Sequence, residues 1–209
     1  MLRLAEPVFY SLQMEGAWTG TPALFVRLAG CNRSCAFCDT DHTEREQRTP
    51  KWIAKLAAAS GVRTVVITGG EPLLQMNAVI ELTERLQFVG NRVHIETNGT
   101  IDIEPGLHGY SSPFDWLTVS PKDAEWGLLD PVYVSEIKLV YPNQLAFIPI
   151  AEKALADLPA GRLFLQPCWE EQGDAPYAQQ VNLKETITYV KEHPKWRLSL
   201  QGHKILGIQ

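Results

Sequence analysis

The sequence predicts an α/β protein: a partial, open parallel (β/α) barrel with fewer helices than strands. Three observations carry this. Short apolar, β-branched runs alternate with helical segments, the pattern of parallel strands covered by helices. The chain has 209 residues and too few helices for a full eightfold barrel, which typically needs about 250 residues. Polar motifs fall at strand ends, where parallel α/β folds place their chemistry.

The first strands are expected at residues 8–12 and 23–29, both short and apolar. Residues 64–68, Thr-Val-Val-Ile-Thr, form a β-branched run that ends on Gly69-Gly70. Further strands are expected at 92–97, 116–120, 133–140, 162–166 and 196–201. A helix is predicted over 50–60, with Thr49 as N-cap, Pro50 in its first turn and Gly61 just past its end. A second spans 77–89 and stops at Gly90. A third is expected over 144–158. The last covers 183–193, with Asn182 as N-cap, Glu185 three residues on and Pro194 as its stop. Residues 104–115 read as an irregular insertion, and the mixed-charge stretch 39–51 as a solvated loop. No repeat or linker divides the chain, so residues 1–209 are expected to form a single domain.

Hydrophobic residues make up 45% and charged residues 21%, which suits a packed core. The net charge of −5 argues against a nucleic-acid surface, which normally carries a basic stripe. No apolar run approaches the roughly 18 residues of a membrane span. The amino-terminal segment lacks the apolar core of a secretory signal. A reducing, cytoplasmic setting follows from cysteines too few and too clustered for a disulfide scaffold.

The chemistry begins at Cys31, Cys35 and Cys38, spaced C-x3-C-x2-C after a strand. A 4Fe–4S cluster is usually held by four cysteines. Three from one loop leave an iron without a protein ligand, open to a small molecule. Zinc held by the same cysteines with His42 is a second reading, since Cys3His is a common zinc set. Cysteines without any metal are a third. Cys168 lies far along the chain and reads as a partly buried thiol rather than a fourth ligand.

Gly69-Gly70-Glu71-Pro72 follows the next strand. Glycines let a backbone approach a ligand closely, and an ammonium group would find carbonyls and Glu71 there. An ordinary strand-to-helix turn is the plainer reading. Glu96-Thr97-Asn98-Gly99, Ser120-Pro121-Lys122, Gln166-Pro167 and Gln201-Gly202-His203 close other strands. All of these ends would face one mouth. His94, inside a strand, reads as a packed or rim residue.

Taken in order, these motifs resemble the radical S-adenosylmethionine superfamily. With Leu12-Gln13-Met14-Glu15-Gly16, Arg27 to Cys31, Cys38-Asp39-Thr40-Asp41 and Glu136-Ile137-Lys138 added, the resemblance narrows to the family of 7-carboxy-7-deazaguanine synthases and runs the length of the chain. It implies a lyase of queuosine and deazapurine biosynthesis. A 5′-deoxyadenosyl radical from S-adenosylmethionine would take a hydrogen from 6-carboxy-5,6,7,8-tetrahydropterin. Ring contraction with loss of ammonia would then give 7-carboxy-7-deazaguanine.

The resemblance also implies residue roles. Cys31, Cys35 and Cys38 align with cluster ligands and Thr40 with a magnesium ligand. Phe37, Cys38, Asp39, Gly70, Ser120, Pro121 and Lys122 align with S-adenosylmethionine contacts, as do Gln166, Pro167, Cys168 and Trp169. Leu12, Gln13, Met14, Arg27 and Thr68 align with substrate contacts, and the carboxylate of Gln209 is expected near the substrate pocket. A homodimer is implied, with a flavodoxin or ferredoxin as electron donor. Arg27 suits a substrate carboxylate because a guanidinium offers two parallel donors; otherwise it reads as a surface arginine. Thr40 fits the sparse protein ligation of magnesium.

Two positions depart from the family pattern. Met14 stands where Leu-Gln-Gly-Glu-Gly is usual, and would be strained if that backbone needs positive φ. Gly202 stands where threonine is common. Two other readings remain: an activating enzyme that installs a glycyl radical on a partner protein, and a zinc-stabilised binding module without catalysis.

Overall fold

In the computed structural model, residues 1–103, 112–122, 133–154, 156, 162–169 and 175–209 are described, without the side chains of 175–179. One ten-stranded sheet organises them. Its strands are β1 (Leu2–Leu4), β2 (Phe9–Gln13), β3 (Thr21–Leu28), β4 (Glu46–Arg48), β5 (Thr64–Gly69), β6 (Arg92–Thr97), β7 (Trp116–Val119), β8 (Glu136–Tyr141), β9 (Leu163–Pro167) and β10 (Trp196–Leu198). The path runs β10-β9-β8-β7-β6-β5-β3-β1-β4, with β2 on β3. Strands β3 and β5 to β10 pair in parallel, and β1, β2 and β4 antiparallel. Among the described residues its two end strands do not pair, as expected of a partial, open barrel.

The helices are α1 (Pro50–Ser60), α2 (Met76–Phe88), α3 (Ile148–Ala154), α4 (Ala175–Glu192) and α5 (Gly202–Leu206). The local signals of α1 act as predicted. Thr49 accepts the amide of Trp52 at 3.1 Å, Pro50 supplies a first turn that needs no donor, and Gly61 closes the helix at φ 69°.

Alternation along the parallel strands builds two unlike faces. Ile53, Val65, Ile67, Leu82, Val93, Ile95, Leu117, Ile137 and Leu139 are buried between sheet and helices. Strand register places Phe25, Val66, His94 and Trp116 on the opposite, inner face. One step towards the carboxyl ends the same face becomes polar: Arg27, Thr68, Glu96 and Thr118 lie side by side. An apolar floor thus carries a polar mouth.

Several expectations shift. Residues 39–51 are not all solvated loop, because β4 lies within them and pairs Glu46, Gln47 and Arg48 with Leu4, Arg3 and Leu2. Its charged side chains suit the sheet edge, where they discourage pairing with other chains. Asn182 does not cap α4, which begins at Ala175; its side chain instead donates to the Cys168 carbonyl at 3.1 Å. The third helix opens as a 3-10 turn at Leu145–Phe147. Its predicted stretch at 155 and 157–158 lies outside the described residues, as does most of the insertion at 104–115. The expected strand 196–201 ends at Leu198, and α5 follows.

Candidate active site

The strand ends open on one cavity of about 240 Å³. Each polar motif reaches it: Cys31, Gly70, Asn98, Lys122, Gln166 and His203 all line it. Cys35, Cys38, Phe37, Asp39 and Thr40 join from the cysteine loop, and Leu12, Gln13, Met14, Arg27, Thr68 and Gln209 from the other side. Ser120, Pro167, Cys168 and Trp169 complete the expected set. Pro121 is absent from the lining; its carbonyl accepts a hydrogen bond from Gln144.

The cysteine loop is held from several directions. Gly70 and Glu71 donate their amides to the carbonyls of Leu28 and Gly30 at 3.0 and 2.9 Å. A Cβ on Gly70 would lie 1.9 Å from the Gly30 oxygen, so only glycine allows this approach. Asn32, which the sequence did not single out, accepts from Asn98 at 2.9 Å and donates to Thr100 at 2.8 Å. Asp39 accepts from Gln201 at 2.7 Å and from Lys204 at 2.6 Å. Burial opposes its charge, but Lys204 and Gln201 prevail and hold its carboxyl down at about 2. Among the described residues no three His, Cys, Asp or Glu side chains gather as a single metal ion requires. The three thiols stand around a shared cavity instead.

At Glu71 the structure shows the plainer of the two readings, a strand-to-helix turn. Its side chain is fully buried and turned from the cavity, accepting from Leu73 at 2.9 Å, Thr97 at 2.8 Å and the Asn98 amide at 2.8 Å. It splices the start of a 3-10 turn to the end of β6. Burial raises its carboxyl despite these donors.

The other half of the cavity is a charged network. Glu96 accepts from Gln13 at 2.9 Å and Thr68 at 3.1 Å. Burial works against its charge, but the Lys138 ammonium and these two donors outweigh it and lower the carboxyl. Lys138, 6% exposed, pairs with Glu15. Burial opposes its charge too, yet Glu15 and Glu96 raise its ammonium above the ordinary lysine range. His203 stands 3.9 Å from Glu15, and burial pushes its imidazole down. Burial and the Lys138 charge lower Lys122, which donates to Ser120 at 2.9 Å and sits over the Phe37 ring. The sequence marked the segments holding Glu15, Glu96, Lys138 and His203 but gave these side chains no task. Their pairing across the barrel has no local signal.

Arg27 reaches the cavity with its Nε 2.6 Å from Glu6. Gln209 donates to the same carboxylate at 3.2 Å, and its backbone oxygen accepts from Ser11. Cys168 is buried at 4% exposure, and Lys204 lies over the Trp169 ring. His94 is a packed residue, buried beside Trp18 and Trp116.

A cysteine loop at the mouth of a partial parallel barrel defines a radical S-adenosylmethionine protein, and a model described as the radical SAM superfamily matches residues 26–124. A 7-carboxy-7-deazaguanine synthase of Bacteroides thetaiotaomicron is 40% identical over 209 residues, covering all of both chains. One of Bordetella pertussis is 37% identical and covers 97% of each. The crystal structure of QueE from Escherichia coli superposes with a TM-score of 0.66 at 28% identity, over 96% of this chain and 93% of that one. The chain belongs to the 7-carboxy-7-deazaguanine synthase family. That full-length likeness favours neither a glycyl-radical activating enzyme nor a zinc-stabilised module. Among the described residues no helix is long and apolar enough to cross a membrane.

Proposed function

We propose that this cavity takes 6-carboxy-5,6,7,8-tetrahydropterin and converts it to 7-carboxy-7-deazaguanine with loss of ammonia, within a single domain spanning residues 1–209. The observation that carries the reading is the convergence of Cys31, Cys35 and Cys38 with Gln13, Arg27 and Thr68 on one cavity.

The donor set fits a 4Fe–4S cluster. Cys31, Cys35 and Cys38 come from one loop, line one cavity and would hold the cluster through three sulfurs, which would leave one iron for S-adenosylmethionine. When bound, that pair supplies one-electron bond cleavage and a hydrogen-abstracting radical. Around it the chain would position and shield. Phe37, Gly70, Ser120, Lys122, Gln166 and Trp169 border the space for S-adenosylmethionine, with Cys38, Pro167 and Cys168 beside them. Asp39 fixes the loop through Oδ2, which accepts from Lys204 and Gln201, and borders the same space for S-adenosylmethionine, and Pro121 acts through its backbone.

At the pterin end, Arg27 would meet the substrate carboxylate, with Glu6 as its ion-pair partner. Gln13 and Thr68 both donate to Glu96, leaving Glu96 as the cavity's fixed acceptor for ring N–H groups. Leu12 and Met14 would pack on the ring, with Gln209 at the rim. The Thr40 hydroxyl would hold Mg2+ together with substrate oxygens, a ligation typical of an ion that keeps most of its water. The reading extends to a cytoplasmic homodimer reduced by a flavodoxin or ferredoxin.

The test is anaerobic reconstitution with iron and sulfide, followed by mass spectrometry after supplying reductant, S-adenosylmethionine and the carboxylated tetrahydropterin. Formation of 5′-deoxyadenosine and the deazaguanine product together is expected. Iron-loaded protein that yields neither refutes the reading.

A further inference from the structure

Met14 and Gly202 compete for one volume. Met14 follows the last residue of β2, and Gly202 opens α5. The Gly202 amide points to the Met14 carbonyl at 3.4 Å. A Cβ on Gly202 would stand 2.5 Å from the Met14 Cε and 3.3 Å from its Cβ. The Met14 methyl therefore occupies the place where any other residue at 202 would put its first side-chain carbon.

Backbone geometry does not demand glycine at 202. Its φ lies outside the left-handed region, and glycine gains nothing in the first turn of a helix. Met14 is equally ordinary, because no residue other than glycine has positive φ among those described. The strain that a Met-for-Gly exchange raises is therefore absent. What couples the two positions is space alone.

Met14 lines the cavity beside Gln13, Arg27 and His203, whereas Gly202 lies behind it. We propose that Met14, seated in the notch left by Gly202, forms the wall against which the flat pyrimidinone ring of the pterin packs, and that Gly202 sets the substrate fit through Met14. A thioether is polarisable and adapts to the edge of a heteroaromatic ring. Met14 is then a specificity-determining contact and Gly202 a positioning residue. The inference rests on the reading that a pterin occupies this end of the cavity.

The consequence is a non-additive pair. In Gly202→Thr the new side chain takes the notch. The colliding atom is the flexible end of Met14, so the backbone can stay while the thioether swings into the cavity. Met14→Gly removes the wall. The double variant Met14→Gly/Gly202→Thr fills the notch from the other side and reopens the cavity.

The experiment measures equilibrium binding of the carboxylated tetrahydropterin to reconstituted holoenzyme without reductant, so that no turnover intervenes, together with each variant's unfolding midpoint. Gly202→Thr is expected to weaken binding about tenfold and Met14→Gly several-fold, while the double variant binds within about threefold of the parent. In steady state Gly202→Thr should raise KM and leave kcat nearly unchanged, a split that mere loss of folded protein does not give. Should Gly202→Thr fail to fold, Gly202→Ala adds only the colliding carbon and reads the same coupling. Additive losses, or single variants at parental affinity, overturn the proposal and leave the enzyme's function intact. A parent holoenzyme that binds no pterin overturns both.

Discussion

Glu71 accepts the backbone amide of Asn98 at 2.8 Å, so the residue after the double glycine faces the protein interior and not a ligand. Three donors, from Leu73, Thr97 and Asn98, converge on its two oxygens. Glu71→Gln keeps the shape but turns an N–H2 towards one of those donors. A buried donor left without an acceptor costs about 1–3 kcal/mol. Urea unfolding should show a loss of that size, while iron content per folded molecule stays at the parental level. Parental stability with impaired S-adenosylmethionine binding would instead give Glu71 the ligand role it lacks here.

Gly70 ties the glycine turn to the cysteine loop. A Cβ there would lie 1.9 Å from the Gly30 oxygen and 2.5 Å from its carbonyl carbon, and backbone is not free to yield as a side-chain tip is. Gly70→Ala is expected to displace the segment just before Cys31 and to cost about 2 kcal/mol or more. Iron and sulfide bound after reconstitution should fall with it. A variant that loads iron like the parent would mean that the two loops are set independently.

What the sequence made legible was local. The run Thr-Val-Val-Ile-Thr announces β5, Thr49, Pro50 and Gly61 bracket α1, and the cysteine spacing marks its own loop. Strand β4 was hidden because Glu46 to Arg48 is polar throughout, without an apolar residue to mark a strand, and pairs with β1 along its backbone. Helix α5 is five residues long and opens on a glycine, too little for a periodic signal. The side-chain pairings were the least visible. Lys138 meets Glu15 across 123 residues, and Asp39 meets Lys204 across 165. Glu71 misleads for the same reason: a carboxylate after two glycines looks like a ligand group until Asn98, 27 residues on, comes to rest against it.

Arg27 gives a prediction about recognition. Its guanidinium forms an ion pair with Glu6, 2.6 Å from Nε, and lies over the Phe9 ring at 5.8 Å. Lysine would keep the charge but offer neither a planar fork nor two parallel donors. Arg27→Lys should weaken binding of the carboxylated pterin about tenfold, equivalent to about 1.4 kcal/mol, with the iron content unchanged. Calorimetric titration of the holoenzyme measures it. Equal affinity in parent and variant would place the substrate carboxylate elsewhere.

His94 predicts how stability responds to acid. Its ring is 3% exposed, with centroids 4.7 Å from Trp18 and 6.2 Å from Trp116. Burial, aided by Arg92 and opposed by Asp115 and Glu96, pushes its imidazole down to about 4. An exposed histidine titrates near 6.5, so between these values the unfolded chain binds the proton that the folded chain refuses. Stability from this group is therefore complete above about pH 6.5 and drains away as pH falls towards 4. Between pH 7.5 and 5 the loss is about 2 kcal/mol. His94→Phe keeps a ring between the tryptophans but removes the proton site. Its urea unfolding free energy should fall less than the parent's over that interval, by about the same 2 kcal/mol. If parent and variant lose stability in parallel, the acid sensitivity comes from other groups and His94 is protonated within the fold.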